Sequence, residues 1–314
     1  MPDQRSISFV LPVFNEERNL AALLHAIAKE MNPFAMSYAF TIVDDGSTDK
    51  TWATVAELRA QFPTIRAIRL SRNFGKEAAL AAGLELAAGD AVIVMDADMQ
   101  HPTRLIAEML RLWEGGNVDV VEAVKRSRGR ESLFYKACSK SLYLALAQLT
   151  AMDMDGVSDF CLLDAKVIRA WRCFGETNLF FRGLSVWLGF RRTRVYFDVS
   201  ARASGRSAWT FQRLVRLALT SITAFSSLPL HAVTLMGGCF FLFATVLGTR
   251  AVYLKLHSDT VIDGVTTVIL LILFVGSLLM IALGVIGEYI AQIYNEVKRR
   301  PRYVVAERMG ETQT

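Results

Sequence analysis

Ile93-Val-Met-Asp-Ala-Asp-Met-Gln-His-Pro102 decides how the rest of the chain is read. Ala91 to Met95 is a short apolar run rich in β-branched residues, the pattern of a strand buried on both faces of a parallel sheet. It stops at Asp96-Ala97-Asp98. Residues two apart on an extended backbone point to the same side, so both carboxylates converge on one point. Open α/β sheets bind ligands just beyond the carboxyl ends of their strands. Two hard oxygen donors there suit Mg²⁺ or Mn²⁺, which keeps positions for water and phosphate. Pro102 then offers a preformed first helical turn. A lone D-x-D turn reads better as an acidic helix cap, so its meaning rests on its surroundings.

Those surroundings repeat the pattern. Ile7 to Phe14 reads as a first strand and not as the apolar core of a signal peptide. Asn15 follows as the expected cap of a helix with Glu16 and Glu17 in its first turn. Leu20, Leu23, Leu24 and Ile27 recur at i, i+3, i+4, i+7 and give that helix one buried face. Phe40 to Val43 is a second strand and also ends in carboxylates, Asp44 and Asp45. Ile65 to Leu70 is a third, followed by Ser71-Arg-Asn-Phe-Gly75 and an Ala-rich helix to Ala88; Val118 to Val124 is a fifth. Such alternation predicts an α/β, largely parallel sheet with helices on both faces and polar residues along one edge. Beyond Arg130 an amphipathic helix is expected over about 132–150, a strand over Val195–Val199 and a second amphipathic helix from Trp209 to Phe225.

The hydrophobic fraction of 53% and mean hydropathy of +0.31 are high for a soluble enzyme, and the excess lies beyond Pro229. Two transmembrane helices are expected within 229–291, at about 232–254 and 265–287, the second uncharged throughout. Arg213, Arg216, Lys298, Arg299, Arg300 and Arg302 flank their outer ends, while the link from Leu254 to Gly264 carries one Lys. The positive-inside rule then places the catalytic head and both termini in the cytoplasm of a multi-pass plasma-membrane protein. The division reads as a head over 1–207, a juxtamembrane helix over 208–228, the spans, and a basic tail over 292–314. A pI near 9.1 invites a nucleic-acid reading, but the basic residues gather beside apolar segments, as for anionic lipid headgroups. Cys138, Cys161, Cys173 and Cys239 show no metal or redox spacing and read as reduced, structural thiols. The four His form no ligand cluster.

Four stretches in order, Leu11-Pro-Val-Phe-Asn-Glu-Glu17, Val43-Asp-Asp-Gly-Ser-Thr-Asp49, Leu70-Ser-Arg-Asn-Phe-Gly75 and Met95-Asp-Ala-Asp-Met-Gln100, closely resemble the family 2 glycosyltransferases of GT-A fold. With the C-terminal spans the chain is similar to their polyprenyl-phosphate branch, which includes dolichyl-phosphate mannose synthases and bacterial bactoprenol glucosyl transferases. The resemblance implies inverting transfer from a nucleotide sugar, UDP-glucose first, to a polyprenyl phosphate such as undecaprenyl phosphate, for cell-envelope glycan modification. It also implies a homo-oligomer and Mg²⁺ or Mn²⁺ as cofactor. Pro12, Phe14, Glu16, Val43, Asp45, Asp96, Ala97, Asp98 and Lys125 are implied to bind the nucleotide sugar. Asp98 and Gln100 are implied metal ligands, Asp98, Asp159 and Arg202 catalytic residues, and Arg202, Arg206 and Ser207 the acceptor-phosphate contacts. Arg72 and Asn73 read as architectural or pocket-edge residues. The chain departs from the family at Ala208, where Lys or Arg is usual, and at Lys125, where Arg is usual. Arg206 or Arg213 is the available substitute at the first of these.

A lipid phosphate is already an anion, so the transfer needs no strong base; it needs positive charge that holds two phosphates together. Two other classes compete. A processive polysaccharide synthase would carry Q-x-x-R-W and more spans, and neither is in the sequence. A membrane scaffold or flippase explains the two spans but not carboxylates at successive strand ends.

Overall fold

The computed structural model describes residues 5–125, 157–174, 181–197, 228–257 and 265–310. The chain divides into two compact units, the first of residues 1–147, 152–208 and 300–314 and the second of residues 148–151 and 209–299. The expected amphipathic helices over 132–150 and 208–228, and Arg202, Arg206 and Ser207, lie outside the described residues.

In the first unit, β1 (Ser6–Val13), α1 (Leu20–Met31), β2 (Ser37–Asp44), α2 (Thr51–Leu58), β3 (Ile65–Leu70), α3 (Lys76–Leu86), β4 (Ala91–Val94), α4 (Leu105–Glu114) and β5 (Val120–Lys125) alternate in order. They are followed by β6 (Val157–Asp164), α5 (Ala165–Arg172), α6 (Phe181–Trp187), β7 (Arg192–Phe197) and β8 (Val305–Met309). One eight-stranded sheet has the order β7-β5-β6-β4-β1-β2-β3-β8. β1 pairs in parallel with β2 and β4, β2 with β3, and β5 with β7. β6 lies antiparallel between β4 and β5, and β8 antiparallel beside β3. The sheet is therefore mostly parallel, as the alternation predicts.

Its central strands are mostly apolar because both faces are covered, and the buried Ser8 and Thr41 hydroxyls satisfy each other at 3.1 Å. Ile7, Phe9 and Leu11 of β1 pack with Leu20, Leu23, Leu24 and Ile27 of α1, while Val10 packs on the other face with Leu80 and Leu84 of α3. Two local expectations are corrected. Asn15 does not cap α1; it takes φ 57°, and its Oδ1 accepts from the Thr48 and Asp49 amides while its own N–H donates to Ser47. An Asn side chain that reaches another loop is not available to its own helix, and α1 starts four residues later, after Asn19. Pro102 opens a turn, with Leu105 N–H donating to its carbonyl, and α4 begins only at Leu105.

The C-terminal segment is the larger difference. The basic tail expected from residue 292 instead continues as helix to Val297 and then forms β8. The strand is anchored by polar contacts that no local pattern announces. Trp52 Nε1 donates to Glu307, Arg69 pairs with Glu307, and the Tyr303 hydroxyl and Arg302 both donate to Glu85. Pairing β8 to β3 covers an edge that would otherwise offer unpaired backbone groups.

The second unit holds α7 (Leu228–His257) and α8 (Val265–Val297). Both are long and apolar enough to cross a membrane, by length and composition, with mean hydropathy 1.5 over Val233–Arg250 and 1.9 over Phe274–Val297. Leu242, Phe243, Val246, Ile272, Leu279 and Met280 are exposed on them. At 1.5 Å per residue, α8 is about 50 Å long, more than the roughly 30 Å of a bilayer core.

At the amino-terminal end of β5, Asp119 staples three elements. Its carboxylate accepts from the Arg191 amide and guanidinium, and pairs with Lys166 of α5 at 2.6 Å. The Arg191 hydrogen bonds hold its carboxyl well below the ordinary 3.8. A carboxyl depressed in the folded state contributes stability that is complete above the unfolded value and is lost as pH falls below it. Asp119→Ala is expected to lower stability by about 1–2 kcal/mol at neutral pH, in line with loss of charge-assisted hydrogen bonds. The gap between mutant and wild-type melting temperatures should narrow as pH drops below about 4; a gap independent of pH would refute this.

Candidate functional site

The parallel strands deliver their carboxyl ends to one edge. β1 and β2 end together, with Val13 opposite Asp44, and Met95 after β4 donates its N–H to Val10 of β1. Pro12, Phe14 and Glu16 therefore leave the sheet beside Asp96-Ala-Asp98. Continuing the antiparallel register of Val94 with Cys161 carries Asp159 of β6 to the same edge, opposite Asp96. Of the residues expected at the site, Pro12, Phe14, Glu16, Asp96, Asp98 and Gln100 are at least partly open to solvent, and Phe14 is well exposed. The side chains of Val43, Asp45 and Ala97 are buried in the wall behind them. Lys125 closes β5 opposite Phe197.

Electrostatics ties the group together. Burial pushes the Glu16 carboxyl above its ordinary value; the hydrogen bond from Asn19 opposes this, and the charges of Asp98, Asp49 and Asp96 add to it. Asp98 accepts from the Gln100 amide at 3.1 Å and makes no ion pair among the described residues. Asp96 and Asp159 are held differently. The ammonium of Lys76 lies 2.5 Å from an oxygen of each. Asp159 is 4% exposed and Lys76 40%, so the pair joins a buried carboxylate to a more open ammonium. Burial pulls the Lys76 ammonium down, but Asp96 and Asp159 outweigh it and hold the group above its ordinary value.

Lys76 was not among the residues the sequence singled out. It is the first residue of α3, where a cation faces the positive end of the helix dipole. That unfavourable placement is the signal that it serves a carboxylate elsewhere. Its position is set by the loop before it. Asp45 accepts from the Phe74 amide at 2.7 Å and the Gly75 amide at 2.9 Å, one to each oxygen. Gly75 then turns the chain into α3 at φ 100°. Gly46 lets this loop approach: a Cβ there would stand 2.5 Å from the Arg72 carbonyl carbon. Arg72 lies over the Phe74 ring at 4.2 Å, an architectural contact as expected. Asp45, expected on the donor, thus also holds the loop that carries Lys76, with acceptor capacity remaining on each oxygen. Burial raises its carboxyl, and the two amides draw it back in part.

Among the described residues no three His, Cys, Asp or Glu side chains close on one point as a complete metal cage. Asp98, at the sheet edge and without an ion pair among the described residues, is nevertheless a fitting carboxylate for Mg²⁺ or Mn²⁺, which commonly takes one or two protein carboxylates and completes its shell with water and substrate phosphate.

The Glycosyl transferase family 2 model matches residues 8–170, the segment that carries all these strand ends. The chain belongs to glycosyl transferase family 2. It is similar to an uncharacterized glycosyltransferase of Synechocystis, 36% identical over 305 residues, covering 97% of this chain and 96% of the relative. It is also similar to a prophage-derived bactoprenol glucosyl transferase of Shigella flexneri, 32% identical over 302 residues, covering 95% and 97%. Glucosyl-3-phosphoglycerate synthase from Mycobacterium tuberculosis, solved with UDP, superposes with a TM-score of 0.48 at 22% identity over 70% of this chain and 79% of that one. The protein is a glycosyltransferase that uses a nucleotide sugar.

Asp45→Asn is expected to set an NH₂ against one of the two loop amides and cost about 1–3 kcal/mol of stability. Donor affinity, read by calorimetry, should fall with it because the loop and Lys76 shift. Lost donor binding with an unchanged melting temperature would place Asp45 on the donor instead.

Proposed function

We propose that the enzyme transfers glucose from UDP-glucose to a polyprenyl phosphate, with inversion, at the cytoplasmic face of a membrane crossed by α7 and α8. The observation that carries this reading is the near full-length similarity to bactoprenol glucosyl transferases in a chain with two long apolar helices. The processive alternative is disfavoured by the missing Q-x-x-R-W, and a scaffold or flippase by the family membership itself.

An oxygen of the acceptor phosphate attacks glucose C1, the bond from C1 to the diphosphate oxygen breaks, and UDP departs. The nucleophile arrives ionised. Asp159, buried and tied to Lys76, accordingly suits an orienting and charge-placing role better than that of a free base. Pro12, Phe14 and Glu16 would flank base and ribose, Asp96 would face the ribose side, and Val43, Asp45, Ala97 and Lys125 would back or edge this donor pocket. Asp98, with Gln100, would hold Mg²⁺ or Mn²⁺; the ion would supply charge stabilisation for the departing diphosphate. Arg202, Ser207 and Arg206 are assigned to the acceptor phosphate, and oligomeric assembly follows the same family reading.

Full-length enzyme given labelled UDP-glucose, undecaprenyl phosphate and Mg²⁺ or Mn²⁺ should form a single lipid-linked product. Asp98→Asn should reduce its formation by roughly a hundredfold or more with little loss of stability. A growing polymer, or full turnover of wild type in excess EDTA, would overturn this reading. For topology, a cysteine introduced at Ser258 should react with an impermeant thiol reagent in intact cells, and one at Thr312 should not; the reverse pattern would invert the assigned orientation.

A further inference from the structure

The Lys76 ammonium lies where a cation is most strongly attracted, between the edge carboxylate Asp96 and the buried Asp159, with Glu16 and Asp98 in the same field. A divalent ion seeking Asp98 enters that field too. We propose that Lys76 is a positioning residue that acts as the site's resident cation: it joins Asp96 to Asp159 and competes electrostatically with a divalent ion until a nucleotide sugar brings its own negative charge.

Three observations support this. First, the ammonium bridges two strands of opposite direction, β4 and β6, so it fixes the distance between two carboxylates that would otherwise repel. Second, Lys76 is delivered by a purpose-shaped loop, held by Asp45 and turned at Gly75, and does not reach the site as a free surface side chain. Third, Asp98 makes no ion pair among the described residues, so divalent and resident cations have adjoining but different carboxylates. With Asp96 and Asp159 satisfied by the ammonium, the attraction left for a divalent ion comes mainly from Asp98 and Glu16. Metal binding then becomes weak without donor and strong with it, which keeps ion and diphosphate arriving together.

This inference rests on the metal-assisted reading of the site, and its test uses neither donor nor acceptor. Donor-free Mn²⁺ binding to the full-length enzyme is measured by the loss of free-ion electron paramagnetic resonance signal. Lys76→Gln should tighten Mn²⁺ binding at least tenfold, equivalent to about 1.4 kcal/mol. Lys76→Arg, which keeps the charge, should remain within about threefold of wild type. Asp159→Asn, which removes a negative charge from the same cluster, should weaken binding. A purely architectural role would shift Lys76→Gln and Asp159→Asn in the same direction, so opposite signs are the discriminating result. Unchanged or weaker Mn²⁺ binding by folded Lys76→Gln would overturn the proposal. If Lys76→Gln fails to fold, Lys76→Arg and Asp159→Asn still decide: weakened binding in Lys76→Arg comparable to that in Asp159→Asn would overturn it equally. Wild-type lipid glucosylation without the Lys76→Gln gain sinks this inference alone; the gain without a lipid product sinks the acceptor reading alone.

Discussion

A buried carboxylate keeps its charge only when hydrogen bonds or a cation offset its lost solvation, and a second carboxylate across the strand makes that demand stricter. Asp159 on β6 and Asp96 after β4 are such a pair, and the Lys76 ammonium is what allows both to stand at one sheet edge. The dependence runs outward from there. Lys76 needs α3 to begin where it does; α3 needs the turn at Gly75; the turn needs the two amides that Asp45 accepts; and Asp45 needs β2 to end level with β1. A change at any of these points reaches the site through geometry alone.

The arrangement fits a reaction whose nucleophile is already charged. Where an enzyme must create its nucleophile, a buried carboxylate is best left free to take a proton. Here the buried carboxylate is tied to a lysine, while the more open Asp98 faces the solvent side of the edge. Under the proposed transfer to a lipid phosphate, this edge would serve to place charge more than to move protons.

Much of the framework was legible in the residues. Apolar runs that end in Asp44-Asp45 and Asp96-Ala-Asp98 announce parallel strands, and the spacing of Leu20, Leu23, Leu24 and Ile27 announces the face of α1; both outcomes follow from period and burial. What local pattern did not reveal depends on distant partners. Asn15 looks like a cap because its sequence neighbours are acidic, but its partners are Ser47 to Asp49. Asp45 is a carboxylate at a strand end, but nothing local shows that it also accepts from the amides of the 72–75 loop. Val305-Ala-Glu-Arg-Met309 sets two adjacent charges in a short segment after a basic run, so it reads as a solvated tail until its pairing with β3 is seen. Lys76 carried a faint local clue, a cation at a helix start, whose meaning appears only when β6 is placed beside β4.

The edge strand β8 has a bearing on how the protein is made. Arg69 and Glu307, which pair across β3 and β8, are separated by 238 positions in the chain. At synthesis rates of roughly 5–20 residues per second, β3 waits on the order of ten to fifty seconds for its neighbour. During that interval both long apolar helices must emerge, so the ribosome delivers the greasiest part of the molecule while the sheet still has an open border. A nascent chain stalled between the helices would leave β3 uncovered, and quality control that recognises bare strand edges would have a handle on every incompletely synthesised copy.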